Sequence, residues 1–96
     1  MKPKILIVDD DIEILESTKI LLSDRFEVKT AQSVKQGMNF ARRGAIDVAL
    51  VDLNFEGQEE DGIRFIDFMS EYFPNTPLIV LSGDIDTSRI VEATRR

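Results

Sequence analysis

Ile5-Leu6-Ile7-Val8-Asp9-Asp10-Asp11 is the stretch on which the reading turns. An unbroken apolar run rich in β-branched residues reads as a strand covered on both faces, because a strand with one wet face would alternate. The run then stops on acids. The same signature returns twice: Val48-Ala49-Leu50-Val51 ends on Asp52, and Leu78-Ile79-Val80-Leu81 ends on Ser82-Gly83.

Helical spacing fills the intervals. Ile12, Leu15, Leu22 and, more loosely, Thr18 share a face, and Asp11 is suited to cap that helix. Phe26 to Ala31 alternates apolar and polar residues and reads as a less buried strand. Ser33 is placed to cap a helix carrying Val34, Met38 and Ala41, which closes near Gly44. An irregular acidic stretch runs from Asn54 to Asp61; after Gly62, residues Ile63, Ile66, Met69 and Phe73 form a stripe ended by Pro74 and Pro77. A last helix is expected from Thr87 or Ser88, carrying Ile90, Val91 and Ala93 to Arg96. The order βαβαβαβα implies an α/β fold, a doubly wound parallel sheet with right-handed crossovers and helices on both faces.

Composition narrows the chemistry. Ninety-six residues suffice for one domain, and 43% hydrophobic with 31% charged residues fits a folded chain. A net charge of −6 argues against a general grip on nucleic acid, which needs clustered Lys and Arg. There is no Cys and no His, so thiolate sites, disulfides and the commonest general base are excluded. What remains is carboxylates, hydroxyls, amines and backbone, a set that favours hard cations such as Mg²⁺ over zinc. Met1-Lys2-Pro3-Lys4 leads into an apolar run too brief to span a membrane, and the acids after it oppose a secretory signal. A cytoplasmic location is expected.

In open parallel sheets ligands gather at the carboxyl ends of the strands. There the sequence places Asp9 and Asp10, Asp52 and Ser82. A single Asp ending a strand would be read as ordinary loop polarity. Three carboxylates and a hydroxyl ending buried strands imply a site, whose mutual repulsion a divalent cation would relieve.

These segments resemble receiver domains of bacterial two-component response regulators. Ile5 to Asp11 is similar to the opening strand and acidic pair, Val51-Asp52-Leu53 to the phosphoacceptor strand, and Leu81-Ser82-Gly83 to the strand ending in the switch hydroxyl. The likeness runs from Lys4 to Arg96 with its parts in order. It implies a flavodoxin-like fold and a regulatory domain rather than an enzyme acting on a separate substrate. It implies that Asp52 accepts a phosphoryl group from a sensor histidine kinase or phosphotransfer protein, with Mg²⁺ held by Asp9, Asp10, Asp52 and the backbone carbonyl of Asn54. It implies that Ser82 hydrogen-bonds the phosphoryl oxygens and switches a partner-binding surface, passed on to an output domain. Neither nucleic acid nor membrane is expected to bind this domain directly.

Two departures from the pattern stand out. The loop between Asp52 and Gly62 is long, acidic at Glu56-Gly57-Gln58-Glu59-Glu60-Asp61, and lacks the family's proline. The solvated-loop reading is favoured there over one in which its charge selects phosphodonors. The chain also stops within the fourth βα unit, so residues 1–96 read as a receiver domain lacking its fifth strand and helix. None of Lys2, Lys4, Lys19, Lys29 and Lys35 takes the place of the family's phosphate-pairing lysine. An open apolar edge along Leu78 to Leu81 is then expected, able to pair with a second copy.

Rivals are weaker. Asp9-Asp10-Asp11 also fits the Asp-x-Asp pattern of haloacid-dehalogenase-type phosphohydrolases, with Asp9 as nucleophile and Asp11 as general acid, but that leaves Asp52 without a role. A receiver-like interaction module that is never phosphorylated is the other alternative. No glycine-rich phosphate loop follows the first strand, which opposes nucleotide binding.

Overall fold

The computed structural model describes residues 2–52, 59–81 and 90–92, with 59–61 and 90–92 described by their backbone. Eight elements follow in order: β1 (Lys4–Val8), α1 (Ile12–Leu22), β2 (Glu27–Ala31), α2 (Val34–Arg42), β3 (Val48–Asp52), α3 (Glu59–Tyr72), β4 (Leu78–Leu81) and β5 (Ile90–Glu92). The sheet order is β2-β1-β3-β4-β5. β1 to β4 are parallel, with helices alternating between them, which is the doubly wound, flavodoxin-like arrangement.

The helix starts follow their caps. Asp11 accepts from the amides of Glu13 and Ile14 at the head of α1, and Ser33 accepts from Gln36 at the head of α2. These side chains satisfy donors that the first helical turn leaves unpaired. After α2 the chain turns through Gly44 and Ala45, both at positive φ (89° and 67°), and enters β3. Asp47 then fastens the start of β3 to β1: its carboxylate accepts from the Lys4 amide at 2.7 Å and its amide donates to the Lys4 carbonyl at 2.9 Å.

The core has two unequal halves. On one face of the sheet Leu6, Val8, Ala49, Val51, Leu78 and Val80 pack with Val34 and Ala41 of α2 and Phe65 and Met69 of α3. On the other, Ile5, Ile7 and Leu15 form a smaller cluster, joined by the partly buried Leu22, Phe26, Val28, Val48 and Leu50. The first face is sealed; Gly37 packs so tightly there that a Cβ would sit 2.9 Å from Val8 Cγ2 and 3.1 Å from Phe65 Cε1.

Several sequence expectations need correction. Ile12 is 52% exposed and Ile63 51% exposed, so neither belongs to a buried stripe. α3 instead begins at Glu59 and buries Gly62, Phe65 and Met69. β3 and β4 are covered less completely on one face than on the other: Val48, Leu50, Ile79 and Leu81 are half-buried. Finally, Ile90–Glu92 is not helical. It pairs antiparallel with β4, matching Ile79 with Glu92, Val80 with Val91 and Leu81 with Ile90. Ile90 and Val91 are β-branched and suit a strand, and the amides and carbonyls along β4 offer partners that outweigh a short helical spacing. The expected open edge along Leu78–Leu81, and the second copy it would invite, lose their basis, because β5 occupies that edge.

Candidate functional site

Strand register decides what meets at the rim. Val8 is level with Val51 across the β1–β3 pair, so the next residues, Asp9 and Asp52, emerge side by side at the carboxyl edge. Leu81 of β4 is level with Asp52 on its other side. Ser82 and Asn54, the remaining expected site residues, lie outside the described residues.

Asp9 is held from two directions. Its backbone amide donates to the Ala31 carbonyl at 3.0 Å, tying it to the end of β2. Its side-chain Oδ1 accepts from the Asp11 amide at 3.0 Å, an Asx-turn leading into α1. Only 4% of Asp9 is exposed, the one buried charged residue among those described. Burial pushes its carboxyl up to about 6, against the lowering influence of the Asp11 amide; the negative charge of Asp52, a hydrogen bond with Asp52 and the charge of Asp10 push the same way. Asp9, Asp10 and Asp52 are therefore close enough to feel one another. Asp52 differs in access: it ends the half-buried series Val48, Leu50, Asp52, and is less buried than Asp9.

The donors fit a hard divalent cation. They are carboxylate oxygens, and their charges conflict in a way that a cation would relieve. Among the described residues no three acidic side chains form a ready cage. Mg²⁺ does not require one, since it commonly takes one or two carboxylates and keeps waters or phosphate oxygens for the rest. Asp11 is otherwise occupied: its carboxylate accepts from the Glu13 amide at 2.9 Å and the Ile14 amide at 3.4 Å. A carboxylate committed to a helix cap is poorly placed to act as the general acid of a dehalogenase-type site.

Residues 5–96 match the response regulator receiver domain family. The chain belongs to that family. Curated relatives of this receiver domain include the transcriptional regulatory protein GlrR of Escherichia coli K12, 29% identical over 93 residues, 96% of this chain and 20% of the relative. A response regulator described as NtrX-like from Rickettsia bellii is 28% identical over 80 residues, 82% of this chain and 17% of the relative. The chain thus spans about a fifth of the length of these relatives. Among solved structures, a CheY-like receiver domain protein from Methanospirillum hungatei superposes with a TM-score of 0.79 at 27% identity, covering 92% of this chain and 71% of that one. A receiver domain protein from Clostridium thermocellum gives 0.76 at 31% identity, covering 88% and 69%.

Of the residues expected at the site, Asp9 stands near both Asp10 and Asp52. What the sequence did not convey is the part of Asp11, which serves Asp9 through its amide and α1 through its carboxylate. The signal was present in the Asp-x-Asp spacing, since an Asp often accepts from the amide two residues on.

Proposed function

We propose that this chain is a phosphoacceptor domain over residues 1–96, in which Asp52 takes a phosphoryl group from a phosphohistidine of a kinase or phosphotransfer protein. The observation that carries this is the closeness of Asp9 and Asp52, each following the level pair Val8 and Val51 at the carboxyl edge, with Asp52 the more accessible. A carboxylate oxygen of Asp52 attacks phosphorus; an O–P bond forms, the P–N bond breaks, and the imidazole leaves and takes up a proton. The product is an acyl phosphate on Asp52.

Asp9, Asp10, Asp52 and the carbonyl of Asn54 would hold Mg²⁺. When bound, the cation offsets charge on the transferring group and on the acids around it. The protein's own part is positional. The β1–β3 ladder fixes where the Asp52 carboxylate stands, and the Asp9 contacts keep a second carboxylate beside it. Ser82 would donate its hydroxyl to a phosphoryl oxygen and report the new charge to the surface that partners read. The much longer curated relatives support a role as the input to an output domain in the same polypeptide.

Incubation with Mg²⁺ and a small phosphodonor such as acetyl phosphate tests the reading by intact mass. Wild type is expected to gain one phosphoryl group and Asp52→Asn none; equal labelling of both ends the assignment. Labelling that persists in Asp52→Asn but disappears in Asp9→Asn would instead support the dehalogenase-type order of roles.

A further inference from the structure

We infer that Asp11 is a positioning residue for the acidic site: its carboxylate, by capping α1, fixes the backbone amide that in turn orients Asp9. The inference rests on the function proposed above. Asp11 is engaged through its amide, its carboxylate Oδ1 and its carbonyl. Its amide donates to Asp9 Oδ1 at 3.0 Å, its carboxylate accepts from Glu13 at 2.9 Å and Ile14 at 3.4 Å, and its carbonyl accepts from the Leu15 amide at 3.1 Å. The residue sits in extended backbone, φ −95° and ψ 110°, the conformation an N-cap requires.

The physical chain is short. Asp9 shares a hydrogen bond with Asp52 and feels the charges of Asp52 and Asp10, which would turn its carboxyl aside wherever that bond is lost. An amide donor aimed at Oδ1 opposes that rotation, because hydrogen bonds to a carboxylate are stronger than those between neutral groups. The amide of a residue at a fraying helix end wanders; the amide of a capping residue with its side chain locked onto the first turn does not. Removing the Asp11 carboxylate leaves the amide in place chemically but frees it to move, and Asp9 with it.

Ser33 supplies an internal control. It caps α2 in the same manner, accepting from the Gln36 amide at 3.1 Å and, through its carbonyl, from the Gly37 amide at 3.0 Å, with none of the three acids among those partners. The test titrates Mg²⁺ alone into the 96-residue chain, read by calorimetry and by the amide resonances of Asp9 and Asp52. Asp11→Ala is expected to weaken Mg²⁺ about tenfold, at the low end for groups that orient a ligand. Asp11→Asn, which keeps the cap but not the charge, is expected to stay within about twofold of wild type. Ser33→Ala is expected to lower thermal stability as much as Asp11→Ala while leaving Mg²⁺ affinity within about twofold. Unchanged affinity in Asp11→Ala overturns the inference, as does equal weakening by Ser33→Ala, which would mark a general loosening. Loss in Asp11→Asn as deep as in Asp11→Ala overturns it too, since charge and not capping would then be the cause. A wild type that takes no Mg²⁺ removes the inference together with the metal assignment; a phosphorylated Asp52 with an unresponsive Asp11 removes the inference alone.

Discussion

The two faces of this sheet are built from the same strands and end up unlike. Toward α2 and α3, Ala49, Val51 and Leu78 are fully buried and Val80 is 5% exposed. Toward α1, the alternating residues Val48, Leu50, Ile79 and Leu81 are only half-buried. An apolar run in sequence therefore states that a strand avoids water on average, and leaves open which face is sealed. Asp52 belongs to the thinner series, which lets a carboxylate sit at the end of a core strand and still meet solvent.

Substitutions can break or sharpen this contrast. The largest effect is expected from Phe65→Ala, which empties a fully buried site on the sealed face and should cost about 3–5 kcal/mol in denaturant unfolding. A cost below about 1 kcal/mol would mean that the face is not packed as described. Gly37→Ala should come next. Its new methyl meets Val8 and Phe65 at 2.9 and 3.1 Å, and the overpacking costs about 1–3 kcal/mol, less what alanine gains within a helix.

Asp9→Asn should act in the opposite direction. The folded-state value of Asp9, about 6, lies above its ordinary 3.8, so the folded chain holds this proton more tightly than the unfolded one. Its contribution to stability is then full below about pH 4 and lost as pH rises through about 6. Without metal, Asp9→Asn is expected to melt several degrees higher than wild type near pH 7.5, roughly 5 °C, with the gap closing below about pH 4 and narrowing when Mg²⁺ is added. A gap that widens on acidification would contradict the burial of a poorly solvated charge there. The smallest effect is expected from Leu50→Thr, under about 1 kcal/mol, because the thinner face already admits water. Should Leu50→Thr cost as much as Phe65→Ala, the two faces are energetically alike.

The sequence carried most of the frame because its signals were redundant. The three apolar runs, the caps at Asp11 and Ser33 and the breaks at Pro74 and Pro77 agree with one another, and the structure follows them closely. It carried less where apolar residues crowd a helix. In α3, Ile63, Phe65, Ile66, Phe68 and Met69 cover well over half the circumference, and the fit of Gly62, Phe65 and Met69 against the sheet, not hydrophobicity, selects the inner face. Ile90 and Val91 fail for a related reason: a short apolar run suits either a helix or a strand, and long-range pairing with β4 decides. At the site, Asp9, Asp10 and Asp52 were legible because each closes or follows a strand. Asp11 was legible as a cap alone, since its service to Asp9 is a matter of where an amide points.

The clamp between Asp47 and Lys4 lies at the opposite end of β1 and β3 from the acids, yet it governs them. Parallel strands joined there in one register arrive at the far rim with Asp9 and Asp52 abreast. A slip by a single residue would send one carboxylate through the sheet to the other side. Alignment of the two acids is thus inherited from the ladder.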